Sequence, residues 1–506
     1  MNKPWLGQYP AGVPSEIDCQ KFSSLKEMLS VTCARYGDLP AYRSMGTAMT
    51  FREIDEASRA FAAWLQKVAK LQRGDRVALM MPNLLQYPAV LFGVLRAGMV
   101  VVNVNPLYTP RELAYQLKDS GATAIVVLEN FAHTLAQVVE NTPIRTVITT
   151  QVGDLLPPLK RLLTNTVVKY VKKMVPPWQM DSAVDFKQVL AVGRAQSLDD
   201  VALTHDDLAF LQYTGGTTGV AKGTMLTHGN MVANVLQVAA WMSPNLNDGE
   251  ETLVIPLPLY HVFALTGTLS FFSKGAEAVL IANPRDMPAF LKVLQQSRLT
   301  AIIGVNTLFR ALLDAPGFAN VDLSRLKLTV AGGMAVQKVV AQRWNQRAGV
   351  PLVEGYGLTE TSPVAIANPV TVQEWSGQIG VPVPSTDAAI IDDDGLALAL
   401  GQVGEIGVRG PQIMKGYWNR PDETAKMFTV NGWMRTGDMG VMDENGSIRI
   451  TDRKKDMIVI SGFKVFPNEI EDVLTMHPDV LEAGVIGVPD ERSGEAVKAV
   501  VVCSSA

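Results

Sequence analysis

Cysteine is almost missing from the chain. Cys19, Cys33 and Cys503 are the three in 506 residues, and no two stand as a C-x-x-C pair. This excludes a disulfide framework and a cysteine-rich metal site, and it makes a reducing cytoplasm the expected location. A basic surplus is missing too. Lys and Arg number 45 against 49 Asp and Glu, for a net charge of -4 and a pI near 5.9, so no nucleic-acid partner is expected, because such binders rest on a basic surface. The opening MNKPWLGQYPAGVPSEIDCQK has no continuous apolar run behind its basic residue and does not read as a secretory signal. Charge-free runs are scarce. One of them, Thr252 to Ser273, is long enough to cross a bilayer. Pro256, Pro258 and His261 would leave broken backbone bonds and a polar ring in lipid, which favours a buried strand, loop and helix beside an apolar cavity.

What the chain does hold is bulk and rhythm. With 47% hydrophobic and 19% charged residues over 506 positions, it can bury a large core and is too long for one simple domain. Thr50 and Glu53 form a capping box ahead of the helical stripe Phe51, Ile54, Phe61, Trp64, Leu65 and Val68; Thr109, Pro110 and Glu112 form another. Strands at RVALMM, MVVVNVN and ATAIVVL are apolar on both faces, which predicts a mostly parallel sheet covered on each side. TLVI, EAVLI, TAIIG, KLTVAGG and PLVEGYG predict a second. From about 364 to 450, short strands between Gly, Pro and Asp turns predict a small β-barrel or meander. PNEIEDVLTM, LEAGVIGV and EAVKAVVVC, one helix and two strands, open a last α+β unit. The expected fold class is α/β: a large N-terminal domain of two α/β sheets plus a small β-barrel, then a small, incomplete α+β domain.

Between the first sheet and the next motif lies LLPPLKRLLTNTVVKYVKKMVPPW, 155 to 178. On a helical wheel Val167, Val168, Tyr170, Val171, Met174 and Val175 gather on one side, with Lys169, Lys172 and Lys173 turned away. Two readings stay open: a surface helix packed on its own domain, or a basic amphipathic helix lying on an anionic membrane with Trp178 at the headgroups.

The densest chemical signal is YTGGTTGVAKG, Tyr213 to Gly223. Backbone amides free of side-chain bulk, threonine hydroxyls and Lys222 suit a phosphate-gripping loop. A Walker A loop is excluded, because Ala221 stands at its second glycine and Gly223 at its Ser/Thr. In YGLTE, Gly355 and Gly357 permit close approach to a flat base, Tyr356 offers a ring to stack on it, Thr359 offers a donor to phosphate, and Glu360 is a hard oxygen ligand suited to Mg²⁺. Asp438 in RTGD suits a pair of ribose hydroxyls and Arg453 in DRKKD suits a phosphate. Each alone is ordinary, as a turn cap and a solvated charge.

Together and in this order, YTGGTTGVAKG, LTVAGG, YGLTE, NGWMRTGDMG and DRKKD resemble the adenylate-forming superfamily. Within it, NGWMRTGDMGVMDENGSIRITDRKK is similar to the fatty acyl-CoA synthetase signature. WLGQYP, LPLYHVFALT, NPRDMP and DRKKDMIVISGFKVFPNEIEDV extend the likeness to bacterial long-chain fatty acid:CoA ligases over essentially the whole chain. The resemblance implies a ligase using a long-chain fatty acid, ATP and CoA, with Mg²⁺, through an acyl adenylate. It assigns the metal to Thr214 and Glu360, and the outer phosphates to Gly215, Gly216, Thr217, Thr218, Gly219 and Lys222. Adenine falls to Gly332, Gly333, Gly355, Tyr356 and Gly357, the α-phosphate to Thr359, and the ribose and phosphate to Asp438 and Arg453. His261 falls near the acyl carboxylate. It implies a large domain at 1–452, a hinge at 453–456 around Lys455, and the start of a small domain at 457–506. The family's late lysine has no counterpart here, so that unit is read as truncated, with poor order and slow adenylation expected. A homodimer is compatible with the family. Two alternatives stay open: an aryl- or medium-chain acyl-CoA ligase, and a non-catalytic lipid-binding protein on a membrane surface.

Overall fold

The computed structural model describes residues 3–214, 221–460, 463–475, 477, 479–490 and 494–503. The capping boxes at Thr50/Glu53 and Thr109/Glu112 both form, and they start the helices Phe51–Lys67 and Pro110–Ser120. Strands follow where both-face apolar runs predict them. An eight-stranded sheet runs Gly416–Tyr417, Lys222–Thr227, Leu208–Thr214, Val100–Asn103, Arg76–Met80, Ala124–Leu128, Thr146–Thr150, Ala183–Asp185. All its pairs from Leu208–Thr214 to Ala183–Asp185 are parallel.

The second sheet is larger than the sequence indicates. Its nine strands run Val381–Pro382, Val364–Ala367, Leu352–Gly357, Leu328–Gly332, Ala301–Gly304, Thr252–Ile255, Glu277–Leu280, Pro40–Ser44, Thr47–Thr50. The last two are an early hairpin turned by Met45 and Gly46, both at positive φ as a tight two-residue turn demands. It docks by parallel pairing of Tyr42 with Ala278. Several apolar clusters hold the helices against the strands, and in the largest of them the Phe272 ring packs on Phe51 and Phe92. The charge-free run resolves into the strand Thr252–Ile255 and the buried helix Val262–Ser273, as expected. No helix among the described residues is long and apolar enough to cross a membrane.

Two expectations change. In place of a closed barrel, Asp387–Ile391, Val403–Arg409, Met434–Met442 and Ile448–Arg453 form an open antiparallel sheet. Four strands are too few to curl around an interior that side chains can fill. The β-rich texture from 364 also straddles two sheets, since Val364–Ala367 and Val381–Pro382 add to the nine-stranded one. Beyond Arg453, four strands and the helix Pro467–Thr475 form the last unit, where the sequence showed one helix and two strands. The missed pair, Ile458–Ile460 and Phe463–Val465, is a short antiparallel hairpin.

Candidate active site

The glycine- and threonine-rich run begins and ends on antiparallel strands that pair Thr214 with Lys222. Gly215, Gly216, Thr217, Thr218 and Gly219 lie outside the described residues. Lys222 forms an ion pair with Glu423 and sits 5.1 Å above the Tyr417 ring. That ring's hydroxyl donates to Glu360 Oε1 at 2.6 Å. Glu360 is only 9% exposed, and its backbone carbonyl accepts from Met414 N–H at 2.8 Å. Thr214, Lys222 and Glu360 are thus linked through Tyr417, a residue that no motif singled out.

Beside this cluster lies a cavity of about 390 Å³. His261, Gly332, Gly333, Gly355, Tyr356, Gly357 and Thr359 all line it. The strand ends supply the glycines, and the loop before the helix Val262–Ser273 supplies His261. Gly355 is not required by packing: an added Cβ would meet only Val330 Cγ1, at 4.0 Å. The room it leaves would let a ligand approach the backbone closely. Gly333 takes a positive φ of 76°, which a side chain would strain. His261 lines the cavity, and although the residue as a whole is exposed, the protein packed around its ring lowers its pKa by desolvation. The remaining lining is largely apolar, with Val238, Trp241 and Met242 from the helix His228–Met242 and Val370 and Val383 opposite.

Tyr356 carries the cavity to the open sheet. Its hydroxyl donates to Asp438 Oδ2 at 2.6 Å. Burial raises the Asp438 pKa, against the lowering effects of Tyr356 and Arg453. Arg453 Nε stands 3.8 Å from Asp438 Oδ1, on the neighbouring strand. Lys455 is apart from all of these. It occupies the exposed turn after Arg453, 3.7 Å from Asp456, where the Asp456 N–H donates back to Arg453 O at 3.0 Å.

Three site residues escaped the sequence reading. Tyr417 and Glu423 lie in KGYWNRPDET, whose composition carries no chemical signal. Glu354 lines the cavity, is 8% exposed, and has its pKa pushed up to about 7, chiefly by burial. A lone acid inside the apolar strand PLVEGYG was the signal that would have found it.

The AMP-binding enzyme family matches residues 29–418, and the AMP-binding enzyme C-terminal domain matches 469–506. The chain belongs to the AMP-binding, adenylate-forming enzymes. Among members of this family it is 56% identical over 507 residues to a Long-chain-fatty-acid--CoA ligase of Yersinia pestis, spanning 100% of this chain and 90% of that one. It is also 56% identical over 503 residues to the enzyme of the same name from Escherichia coli O157:H7, with 99% and 90% covered. The ATP-bound structure of MatB from Rhodopseudomonas palustris superposes with a TM-score of 0.80 at 26% identity, over 95% of this chain and 89% of that one.

Proposed function

We propose that this adenylate-forming enzyme joins long-chain fatty acids to CoA, using ATP and releasing AMP and pyrophosphate. One observation carries the reading. A largely apolar cavity is lined as well by the glycines, Tyr356 and Thr359 that suit a nucleotide, and by His261. In the first step a carboxylate oxygen attacks the α-phosphorus and the bond to pyrophosphate breaks. In the second, the CoA sulfur attacks the acyl carbonyl carbon after giving up its proton, and AMP leaves. Both steps gain most from holding anions together in a site with fixed donors.

The roles divide accordingly. Gly333 and Gly355 leave space for adenine beside the Tyr356 ring, Gly332 and Gly357 shape its wall by packing where a Cβ would meet Gly355 O at 3.0 Å and Pro363 O at 1.7 Å, and Asp438 accepts from the ribose hydroxyls with Arg453 near a phosphate. Thr359 donates to the α-phosphate, and Lys222 leaves Glu423 to meet the outer phosphates. His261 holds the acid's carboxylate by N–H donation. Thr214 and Glu360 suit Mg²⁺, since both offer hard oxygens and a magnesium site completes its shell with substrate phosphates and water. Among the described residues no cluster of three or more His, Cys, Asp or Glu offers another cation site. Bound there, the ion would neutralise charge gathering on the phosphates. Lys455 is the pivot between the two half-reactions.

A surface feature bears on how the acid arrives. The helix Pro158–Thr166 and the π-helical segment Val167–Val171 that continues it leave Leu159 80% exposed and Tyr170 69% exposed, with Leu162, Leu163, Val171 and Met174 exposed as well. The exposed stripe differs from the expected one, because Val167 and Val168 are half-buried and Trp178 packs inward. With Lys172 and Lys173 exposed alongside, this stripe suits peripheral contact with an anionic membrane surface. Pyrophosphate release across fatty, aromatic and short-chain acids tests the substrate class: release with fatty acids alone supports it, and release with aromatic acids alone overturns it.

A further inference from the structure

The apolar lining of the cavity includes Trp241, and that side chain is braced from outside by Tyr9. The helix His228–Met242 runs beside the segment 364–370. Asn234 donates to Val364 O at 2.7 Å, Trp241 Nε1 to Asn368 O at 2.9 Å, and Asn245 just beyond it to Val370 O at 2.9 Å. From Asn234 to Trp241 the helix climbs about 10 Å, leading away from the YGLTE turn. Trp241 therefore forms wall beyond the YGLTE turn, level with Glu354, whose carbonyl accepts from the Asn368 N–H at 2.9 Å, and its indole is fixed by a hydrogen bond. Tyr9 meets the other side of that indole edge-on, with ring centroids 4.9 Å apart and planes at 87°. The Tyr9 hydroxyl donates to Pro382 O at 2.6 Å, next to the cavity-lining Val383. Trp5, 1% exposed, anchors this segment so tightly that a Cβ on Gly446 would fall 2.5 Å from its backbone nitrogen.

We propose that Trp241, braced by Tyr9, is the end stop that sets the length of acyl chain the enzyme prefers. The inference rests on the apolar lining holding the acyl chain. A cavity of about 390 Å³ is near the small end of ligand sites, which run from roughly 300 to 1,000 Å³, so a long chain shared with a nucleotide fills it and its end wall is felt. Tyr9 acts through Trp241 and is a positioning residue, since it does not itself line the cavity.

The test measures kcat/KM for octanoate, laurate, palmitate and arachidate by pyrophosphate release, in wild type, Trp241→Leu and Tyr9→Ala, with thermal melting to verify folding. Both variants are expected to raise the ratio of arachidate to laurate by about tenfold, the discrimination that one or two methylenes carry, with KM for ATP unchanged. Tyr9→Ala leaves the cavity lining intact, so it decides the matter if Trp241→Leu fails to fold. Profiles that superimpose on an active wild type overturn the end stop, and a shift in Trp241→Leu alone overturns the role of Tyr9. A wild type that releases no pyrophosphate with any fatty acid overturns the acyl reading, and this proposal with it.

Discussion

Replacing Glu354 by Gln should make the enzyme more stable, by an amount that grows as pH rises from about 4.5 to about 7 and is full above that. Its carboxyl is raised from 4.5 to about 7, chiefly by burial. Between those values the folded protein holds a proton that the unfolded chain has lost, so stability falls as pH rises through the window and the loss is complete above about 7. At about 1.4 kcal/mol per pH unit, the cost of ionising this group is on the order of 3 kcal/mol. Gln keeps the acceptor for the Val336 N–H, which Glu354 Oε1 takes at 3.1 Å, and it carries no charge to bury. For a chain of 506 residues that energy corresponds to about 3 °C in Tm, since unfolding entropy is about 2 cal/mol/K per residue. Melting curves of both proteins at about pH 5 and about pH 8 should lie close together at the lower pH and separate at the higher, with the variant above. A difference that is constant across the range would refute a buried, proton-holding Glu354.

Other outcomes follow from the site. Glu360→Gln retains volume and an acceptor for Tyr417, so melting should not change while Mg·ATP-dependent adenylation falls by two to three orders of magnitude, as loss of a transition-state charge contact gives; wild-type rates at ordinary Mg²⁺ would remove Glu360 from the metal. Lys455→Pro spares the turn's hydrogen bonds, which the N–H groups of Lys454 and Asp456 donate, and restricts rotation. Thioester formation from supplied acyl-AMP should drop more than acyl-AMP synthesis, and equal losses would refute a pivot there. Reversing Lys172 and Lys173 to Glu should lower sedimentation with anionic vesicles more than tenfold, at about 1 kcal/mol per charge removed and as much again for its reversal. Lys169 is left alone because it pairs with Glu129 at 3.4 Å. Unchanged sedimentation would leave this stripe without a membrane role.

The readable parts of the sequence were those whose chemistry is local. Gly355 to Thr359 lie on one strand end and turn, so spacing alone brought them to one cavity. His261 stood out because a polar ring within a charge-free run needs a reason to be there. Capping boxes spoke for their helices, because the cap and its partner are three residues apart. Contacts distant along the chain left no local trace. The Pro40–Thr50 hairpin joins the second sheet through Tyr42 and Ala278, and Tyr417 reaches back to Glu360; neither pairing alters local composition. Short turn-rich strands also look alike in a barrel and in an open sheet, because closure depends on how edges meet and alternation along each strand is the same.

The most direct test of the central claim is the product itself. Purified enzyme given ATP, Mg²⁺, CoA and palmitate should form palmitoyl-CoA with AMP and pyrophosphate in equal amounts, and without CoA it should accumulate palmitoyl-AMP. ADP and phosphate in place of AMP and pyrophosphate, or a thioester formed with benzoate but not with palmitate, would contradict it.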